Sequence, residues 1–89
     1  MIAEPRTEFA VRVHYYAQLR EQLGFREENV LLHLPASEQD ILEQLAVIHP
    51  QASSIFLCSR IAVEDNYFAA DHIFAKLTEL DIISPISGG

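Results

Sequence analysis

The last five residues of the sequence, Pro85-Ile86-Ser87-Gly88-Gly89, have the composition of a narrow arm that carries a carboxylate. Glycine has no Cβ, so the Gly88-Gly89 end fits a channel that would exclude any side chain. Pro85 fixes its own φ angle and favours an extended conformation of Ser84. Fully extended at 3.3–3.6 Å per residue, the five residues span about 17 Å. The pattern predicts a stiff arm that can place a carboxylate in the active site of another protein.

The other residues that could do chemistry form no catalytic or metal-binding pattern in the sequence. The four histidines are far apart and match no metal-ligand spacing; they are His14, His33, His49 and His72. No serine lies in a G-x-S-x-G motif, and three glycines are too few for a phosphate-binding loop. The one cysteine, Cys58, ends an apolar run, and we expect it to be a small buried hydrophobic residue. We therefore expect a chain with no autonomous active site and no bound metal or cofactor.

Length and charge limit the classes of partner. A chain of 89 residues has room for one domain with one core. Its formal net charge of −7 makes nucleic acid and anionic membranes poor partners and a basic protein surface a good one. The start of the sequence has neither the basic stretch nor the apolar run of a signal peptide. We expect a cytoplasmic protein with a flexible leader (residues 1–8), one domain (9–84) and an extended tail (85–89).

Hydrophobic periodicity predicts the first half of the fold. Apolar and polar residues alternate over residues 9–15, which is typical of a half-buried strand. Tyr16, Leu19 and Leu23 follow at helical spacing, and Gly24 is a candidate C-cap. Alternation returns over residues 30–34, which predicts a second strand antiparallel to the first. Phe9 and Tyr15 are the aromatic residues that we expect in the core.

The second half predicts a principal helix and further strands. Ser37 is an N-cap candidate with Asp40 three residues on, and Pro50 requires the helix to end near His49. Residues 51–54 are expected to form a loop or short turn. A strand pair with its turn at Asp65-Asn66 and a final strand over residues 80–83 complete the pattern. One principal helix and four or five strands predict an α+β fold with the helix packed across one face of the sheet.

Two segments and the tail together resemble a known family. The segments are Val13-His14-Tyr15-Tyr16-Ala17-Gln18-Leu19-Arg20-Glu21, followed by Gly24, and Ile61-Ala62-Val63, followed by Tyr67. With the Pro85-to-Gly89 ending, they are similar to the MoaD-type sulfur carriers, the small subunits of molybdopterin synthase. The similarity runs in order from about Phe9 to Gly89. Since other sulfur carriers share the Gly-Gly end, the helix segment is the more discriminating motif.

The resemblance implies a ubiquitin-like β-grasp fold and a sulfur-carrying role. A MoeB-type enzyme would use ATP to adenylate the Gly89 carboxylate, with Gly88 beside it, and a sulfur donor protein would convert it to a thiocarboxylate. The large, MoaE-type synthase subunit would use that sulfur to form the dithiolene of molybdopterin. The residues expected to contact partners are Pro85, Ile86, Ser87 and Phe68, with Phe68 expected to be exposed.

Three positions differ from the family pattern, and two other function classes stay open. Ser84 replaces the first of two prolines, Leu77-Thr78 replaces a Gly-Asp turn, and Glu64 replaces an asparagine. One alternative is a carrier for thiamine or tungsten cofactor synthesis, or a ubiquitin-like modifier that forms isopeptide bonds. The other is a β-grasp interaction module whose terminal glycines are inert. The single lysine, Lys76, limits self-linked chains to one internal site.

Overall fold

The structure is a computed structural model that describes residues 6–85. In chain order its elements are β1 (Thr7–Tyr15), α1 (Ala17–Leu23), β2 (Glu27–Leu34), β3 (Ala36–Ser37), α2 (Glu38–Ile48), a 3-10 turn (Pro50–Ala52), α3 (Ser53–Leu57), β4 (Arg60–Val63), β5 (Asn66–Tyr67), β6 (Ile73–Phe74) and β7 (Glu79–Ile83).

Five of the strands form one mixed sheet in the order β2-β1-β7-β4-β5. β1 pairs with β2 in antiparallel fashion, as predicted. β7 lies at the centre of the sheet, parallel to β1 and antiparallel to β4. The short strands β3 and β6 pair separately. With helices on one face of a mixed five-stranded sheet, the architecture is the predicted α+β, ubiquitin-like β-grasp.

Local signals place both predicted helices correctly. α1 ends at Gly24, whose φ of 87° lies in the left-handed region that glycine adopts without steric cost. α2 begins with a complete capping box, in which the Ser37 hydroxyl accepts from the Asp40 N–H and the Asp40 carboxylate accepts from the Ser37 N–H. The cap after α2 is His49, immediately before Pro50.

The core lies between the helices and one face of the sheet. Alternate residues of the central strands point into it, and α2 and α3 supply the opposing side chains. The largest fully buried members are Tyr15, Phe56, Leu19, Leu32, Leu34, Ile41, Leu42, Leu45, Ile61, Leu80 and Ile82. Tyr15 is 1% exposed, and Phe9 is partly buried against the same core. The expectation for these two aromatic residues is confirmed.

Several predictions about residues 51–66 were wrong. Residues 51 and 52 lie in a short 3-10 turn, as predicted, but residues 53 and 54 begin the helix α3, which was not predicted. Cys58 is not buried but exposed, because α3 ends at Leu57 and the chain turns there towards β4. The hairpin forms as predicted, but Val63 pairs with Asn66, so the two turn residues are Glu64 and Asp65.

Strand boundaries differ less from those predicted. β1 begins at Thr7, inside the predicted leader, and residues 1–5 lie outside the described part of the chain. β2 begins at Glu27, three residues before the predicted start. The final strand begins at Glu79, one residue early.

Candidate functional site

The point at which the C-terminal segment leaves the sheet lies between two other strands. Tyr15 of β1 is level with Ile82, and Arg60 of β4 is level with Ile83. β7 is thus hydrogen-bonded on both sides as far as its last residues. The predicted tail begins here, at a position fixed by the centre of the sheet. Pro85 is exposed, and the predicted site residues Ile86, Ser87, Gly88 and Gly89 lie outside the described residues.

Ser84 separates β7 from Pro85 and continues the alternation of buried residues. Leu80 and Ile82 face the core, and Ser84 is 5% exposed. Its Oγ has no hydrogen-bond partner among residues 6–85. A buried hydroxyl without a partner costs free energy relative to an apolar group of the same size. Ser84, which stands where the family pattern has a proline, therefore contributes to the structure by packing and not by a hydrogen bond.

The outer face of the sheet, opposite α2, carries an ionic network that begins level with the start of β7. Arg12 Nη1 lies 2.6 Å from Glu27 Oε2, and His14 contacts both Glu27 and Glu79. The Tyr16 hydroxyl donates to Asp81 Oδ1 at 3.4 Å. Partial burial raises the pKa of Tyr16, and the nearby Asp81 carboxylate raises it further. The phenol therefore stays neutral and remains a hydrogen-bond donor near pH 7.

Exposed aromatic residues and one arginine flank the same exit. Tyr16 is 41% exposed at the end of β1, and Tyr67 is 57% exposed on β5. The Arg60 guanidinium lies 5.3 Å from the Tyr67 ring centroid, within cation–π range. Together, Tyr16, Arg60, Tyr67, Ile83 and Pro85 form what we call the exit surface. Aromatic and arginine side chains are the types enriched where protein partners bind.

The predicted contact residue Phe68 is not exposed. It is half-buried, and its ring lies 4.6 Å from the His72 ring and 5.3 Å from the Phe74 ring. Its carbonyl accepts from Arg60 Nη2 at 2.9 Å. Phe68 thus supports Arg60 instead of presenting an aromatic surface. The sequence analysis named Phe68 and missed Tyr67 as an exposed residue. Which of the two faces outwards follows only from the pairing of Tyr67 with Ala62 on the neighbouring strand.

Arg60 is held in place by the buried end of α2. Its Nε donates to Glu38 Oε2 at 3.0 Å, and the same oxygen accepts from the Ile61 N–H at 2.7 Å. Glu38 is only 9% exposed. One carboxylate therefore fixes both the start of β4 and the arginine beside the tail. Sequence reasoning missed Glu38 and Arg60, since their pairing joins residues 22 positions apart.

A second set of hydrogen bonds to a carboxylate holds the end of β1 in place. The Tyr15 hydroxyl donates to Glu28, whose Oε2 also lies 2.6 Å from His49 Nε2. Phe25 and Phe56 lie edge-on to Tyr15, at ring-centroid distances of 5.9 and 5.8 Å. Burial and the Glu28 carboxylate raise the Tyr15 pKa above its ordinary value. This cluster joins β1, β2 and the end of α2 next to the exit.

The histidines do not gather into a metal site. His14 and His49 each contact carboxylates, His33 lies near Glu8, and His72 packs on Phe68. Within residues 6–85 no group of three or more His, Cys, Asp or Glu side chains could hold a metal ion. In the same part of the chain, no helix is long and apolar enough to cross a membrane.

An open cleft of about 510 Å³ lies at the other end of β7. Its lining includes Phe9, Val63, Lys76, Leu77 and Leu80. The cleft therefore contains Leu77-Thr78, the position where the sequence differs from the family pattern. It lies at the end of the sheet opposite the exit surface.

Comparison with known proteins decides the family. The ThiS family model matches residues 13–89, which includes the whole exit region and the Gly-Gly end. The chain belongs to the ThiS family. A molybdopterin synthase sulfur carrier subunit from Chlamydomonas reinhardtii is 31% identical over 81 residues, covering 89% of this chain and 98% of that protein. One from Dictyostelium discoideum is 29% identical, covering 88% and 94%.

Solved structures of similar proteins confirm the fold of this ThiS family member. SAMP1, the small archaeal modifier protein 1 of Haloferax volcanii, superposes with a TM-score of 0.68 at 24% identity, covering 91% of this chain and 100% of its own. A putative molybdopterin converting factor, subunit 1, from Pyrococcus furiosus gives 0.66 at 23% identity, covering 85% and 97%. At such identities the likeness concerns the β-grasp fold alone.

Proposed function

We propose that this chain is the sulfur carrier subunit of a molybdopterin synthase. The observation that carries the proposal is the match of the ThiS family model through Gly89, on a chain whose curated relatives are named as such subunits. The central position of β7 supports it, because a strand paired on both sides holds the start of the tail in one place. A carrier needs that precision to present one carboxylate to several enzymes.

The proposed chemistry takes place at the Gly89 carboxylate. A carboxylate oxygen attacks the α-phosphorus of ATP in a MoeB-type enzyme, and pyrophosphate leaves. The outer sulfur of a persulfide on a donor protein then attacks the acyl carbon, and AMP leaves with the bonding electrons. A thiol cleaves the S–S bond of the resulting acyl disulfide, which releases the thiocarboxylate and leaves a disulfide between the thiol and the donor. The resulting thiocarboxylate is a soft nucleophile that a MoaE-type large subunit directs at the pterin precursor. Gly88 and Gly89 let the tail enter both active sites, and the chain itself needs to bind no cofactor.

In this proposal the exit surface is the part of the folded domain that contacts the large subunit. Tyr16, Tyr67 and Ile83 provide apolar area, and Arg60 provides a cation held in a fixed orientation. Pro85, Ile86 and Ser87 continue the contact along the tail. The acidic charge of the chain would attract a basic partner and accelerate association in low salt. We place the complex in the cytoplasm.

The first experiment measures the intact mass of the protein isolated from its native host. This measurement establishes whether the native chain ends at Gly89 and whether one oxygen there has been replaced by sulfur. Deletion of Gly89 should leave the domain folded and abolish both sulfur loading and molybdopterin formation. The control is Gln51→Ala, which changes an exposed side chain on the 3-10 turn. It should fold and load with sulfur normally. Molybdopterin formation by the Gly89-deleted protein would contradict the proposal.

A second experiment separates this function from the alternatives. A protein modifier would leave Gly88-Gly89 remnants on lysines of many unrelated proteins, and deletion of its gene would cause no cofactor defect. A carrier for another pathway would load with sulfur but fail to support molybdopterin formation with the large subunit. An inert module would show no thiocarboxylate at all. We expect sulfur loading, molybdopterin formation and a plain carboxylate at Gly89 after each transfer.

The exit surface is tested with a pair of variants. Tyr16→Ala removes an exposed aromatic ring beside the tail, and we expect the affinity for the large subunit to fall about 10- to 100-fold, as for a central aromatic contact. Leu31→Ala removes a 56% exposed side chain from the same face but from the far edge strand, and should leave affinity unchanged. Equal effects of the two variants would contradict the assignment of the exit surface.

A further inference from the structure

The outermost strand β2 has one unpaired edge. It pairs with β1 on one side, and among residues 6–85 no strand lies on the other. Exposed strand edges present unpaired N–H and C=O groups that can accept another chain. The only group that bonds to this edge within the described part of the chain is the side-chain amide of Gln44 on α2.

Gln44 binds the edge as a peptide group would. Its Oε1 accepts from the His33 N–H at 2.8 Å, and its Nε2 donates to the His33 carbonyl at 3.0 Å. The backbone groups of His33 therefore point away from β1. Because these directions alternate along a strand, those of Leu31, Asn29 and Glu27 point the same way. The structure gives these three residues no backbone partner on that side.

Helix α2 lies beside this edge, on the core side of the sheet. Gln44 reaches His33, and His49 reaches Glu28 at 2.6 Å, so α2 runs along β2 in the opposite direction. Ile48 lies one helical turn beyond Gln44 on the same side and is 43% exposed. Leu31, 56% exposed, lies on the opposite, outer face of the strand. The open backbone groups from Glu27 to Leu31 therefore lie beside one exposed apolar side chain on the α2 side, that of Ile48.

We propose that an extended segment of a partner protein, with apolar and basic residues in alternation, adds to the Glu27–Leu31 edge of β2 as a sixth strand. The backbone of the segment would continue the hydrogen bonding that Gln44 begins, which is the β-augmentation mode of peptide recognition. Its apolar residues would pack against Ile48. Its basic residues are favoured by the net charge of −7 and would lie on the outer face of the sheet.

A second copy of this chain is a poorer occupant than such a segment. Two copies would bring together two domains that each carry a formal charge of −7, which repel each other. The segment, in contrast, brings compensating charge. Binding at this edge leaves the exit surface free, since β2 and β7 are separated by β1. The proposal therefore does not depend on the sulfur carrier function.

The test uses the full-length protein labelled with ¹⁵N and a synthetic heptapeptide, acetyl-Lys-Val-Lys-Val-Lys-Val-Lys-amide. Amide hydrogen exchange is measured residue by residue with and without the peptide. At saturation we expect the amides of Glu27, Asn29 and Leu31 to exchange at least about tenfold more slowly. The intervening amides of Glu28 and Val30 already face β1 and should change little. This alternation distinguishes strand addition from nonspecific ionic binding.

Two variants and a modified peptide make the test specific. Asn29→Pro removes the central outward N–H. Proline is tolerated at this sheet-edge position, because the N–H that it lacks takes no part in the pairing with β1. It should weaken peptide binding at least about tenfold, the loss expected when a backbone hydrogen bond and its neighbours are lost. Asn29→Ala keeps the N–H and is the matched control, which should bind normally. If Asn29→Pro does not fold, a peptide N-methylated at alternate amides, tested on the unaltered protein, should fail to protect the edge.

Three results would overturn the proposal. One is no protection of Glu27, Asn29 and Leu31 by saturating peptide. Another is peptide-induced change confined to charged side chains, which would indicate ionic adsorption. The third is protection of the same three amides by raising the protein concentration without peptide, which would show that a second copy occupies the edge.

Discussion

Tyr15 offers a direct test of the cluster that holds the end of β1. Its hydroxyl donates to Glu28 in the folded protein, while burial and that carboxylate disfavour the phenolate. The folded-state pKa is therefore raised above the unfolded value of about 10. A group of this kind contributes its full stability below the unfolded pKa and loses it as the pH rises. The free energy of unfolding should thus fall above pH 10.

The magnitude follows from proton linkage. Above pH 10 the unfolded chain releases the Tyr15 proton and the folded protein keeps it, so this residue alone gives a slope of about −1.4 kcal/mol per pH unit. By pH 11.5 the loss is about 2 kcal/mol. Tyr15→Phe removes this loss. At pH 8 the same variant should be about 1.5–3 kcal/mol less stable than the native protein, because Glu28 loses a hydrogen bond to its charge.

The assay is urea unfolding followed by far-UV circular dichroism from pH 8 to 11.5. The quantity of interest is the difference in unfolding free energy between the native protein and Tyr15→Phe, since other titrating groups cancel in it. That difference should shrink by about 2 kcal/mol over this range. Phe25→Leu perturbs the same cluster but keeps the phenol, so its difference from the native protein should stay constant. A constant difference for Tyr15→Phe would refute the reasoning.

Three further variants test other parts of the structure. Glu38→Gln replaces the carboxylate that binds Arg60 and β4, and should lower the unfolding free energy by about 2 kcal/mol. An unchanged urea midpoint would show that these hydrogen bonds do not stabilise the fold. Glu64 and Asp65 both have positive φ, at 52° and 66°, so Glu64→Asn with Asp65→Gly should raise stability by about 1 kcal/mol and the melting temperature by roughly 5 °C. A calorimetric scan without that rise would contradict it. Ser84→Ala should be neutral or up to about 1 kcal/mol stabilising; a marked loss would show that its hydroxyl is hydrogen-bonded.

Elements with strong local signals could be predicted from the sequence. The Ser37–Asp40 capping box, the Gly24 cap and the alternation before Tyr15 each act within a few residues, so the pattern and the structure agree. The α3 helix, Ser53–Leu57, could not be predicted, because five residues are too few to show a helical period. Its end also decides the exposure of Cys58, which an apolar neighbourhood in sequence had suggested to be buried.

Contacts between distant residues were beyond the sequence. The parallel pairing of β1 with β7 places the tail at the centre of the sheet, yet it joins strands at opposite ends of the chain. Hydrophobic periodicity shows that each strand exists but not which strand lies beside it. The aromatic residues of the exit surface show the same limit. Tyr67 and Phe68 are neighbours in sequence, and only strand pairing determines that Tyr67 faces outwards while Phe68 supports Arg60.

The two ends of α2 hold the two strands that flank the tail. Glu38, at the start of the helix, binds the first residues of β4, and His49, just after its end, reaches β1 through Glu28 and Tyr15. β7 lies between those strands, so the helix braces the sheet on both sides of the exit. Both ties use carboxylates that are largely shielded from water, where each hydrogen bond is stronger and its loss more costly than at the surface. The position of the tail is therefore coupled to the packing of α2, and a substitution in either tie should disturb sulfur transfer before it unfolds the domain.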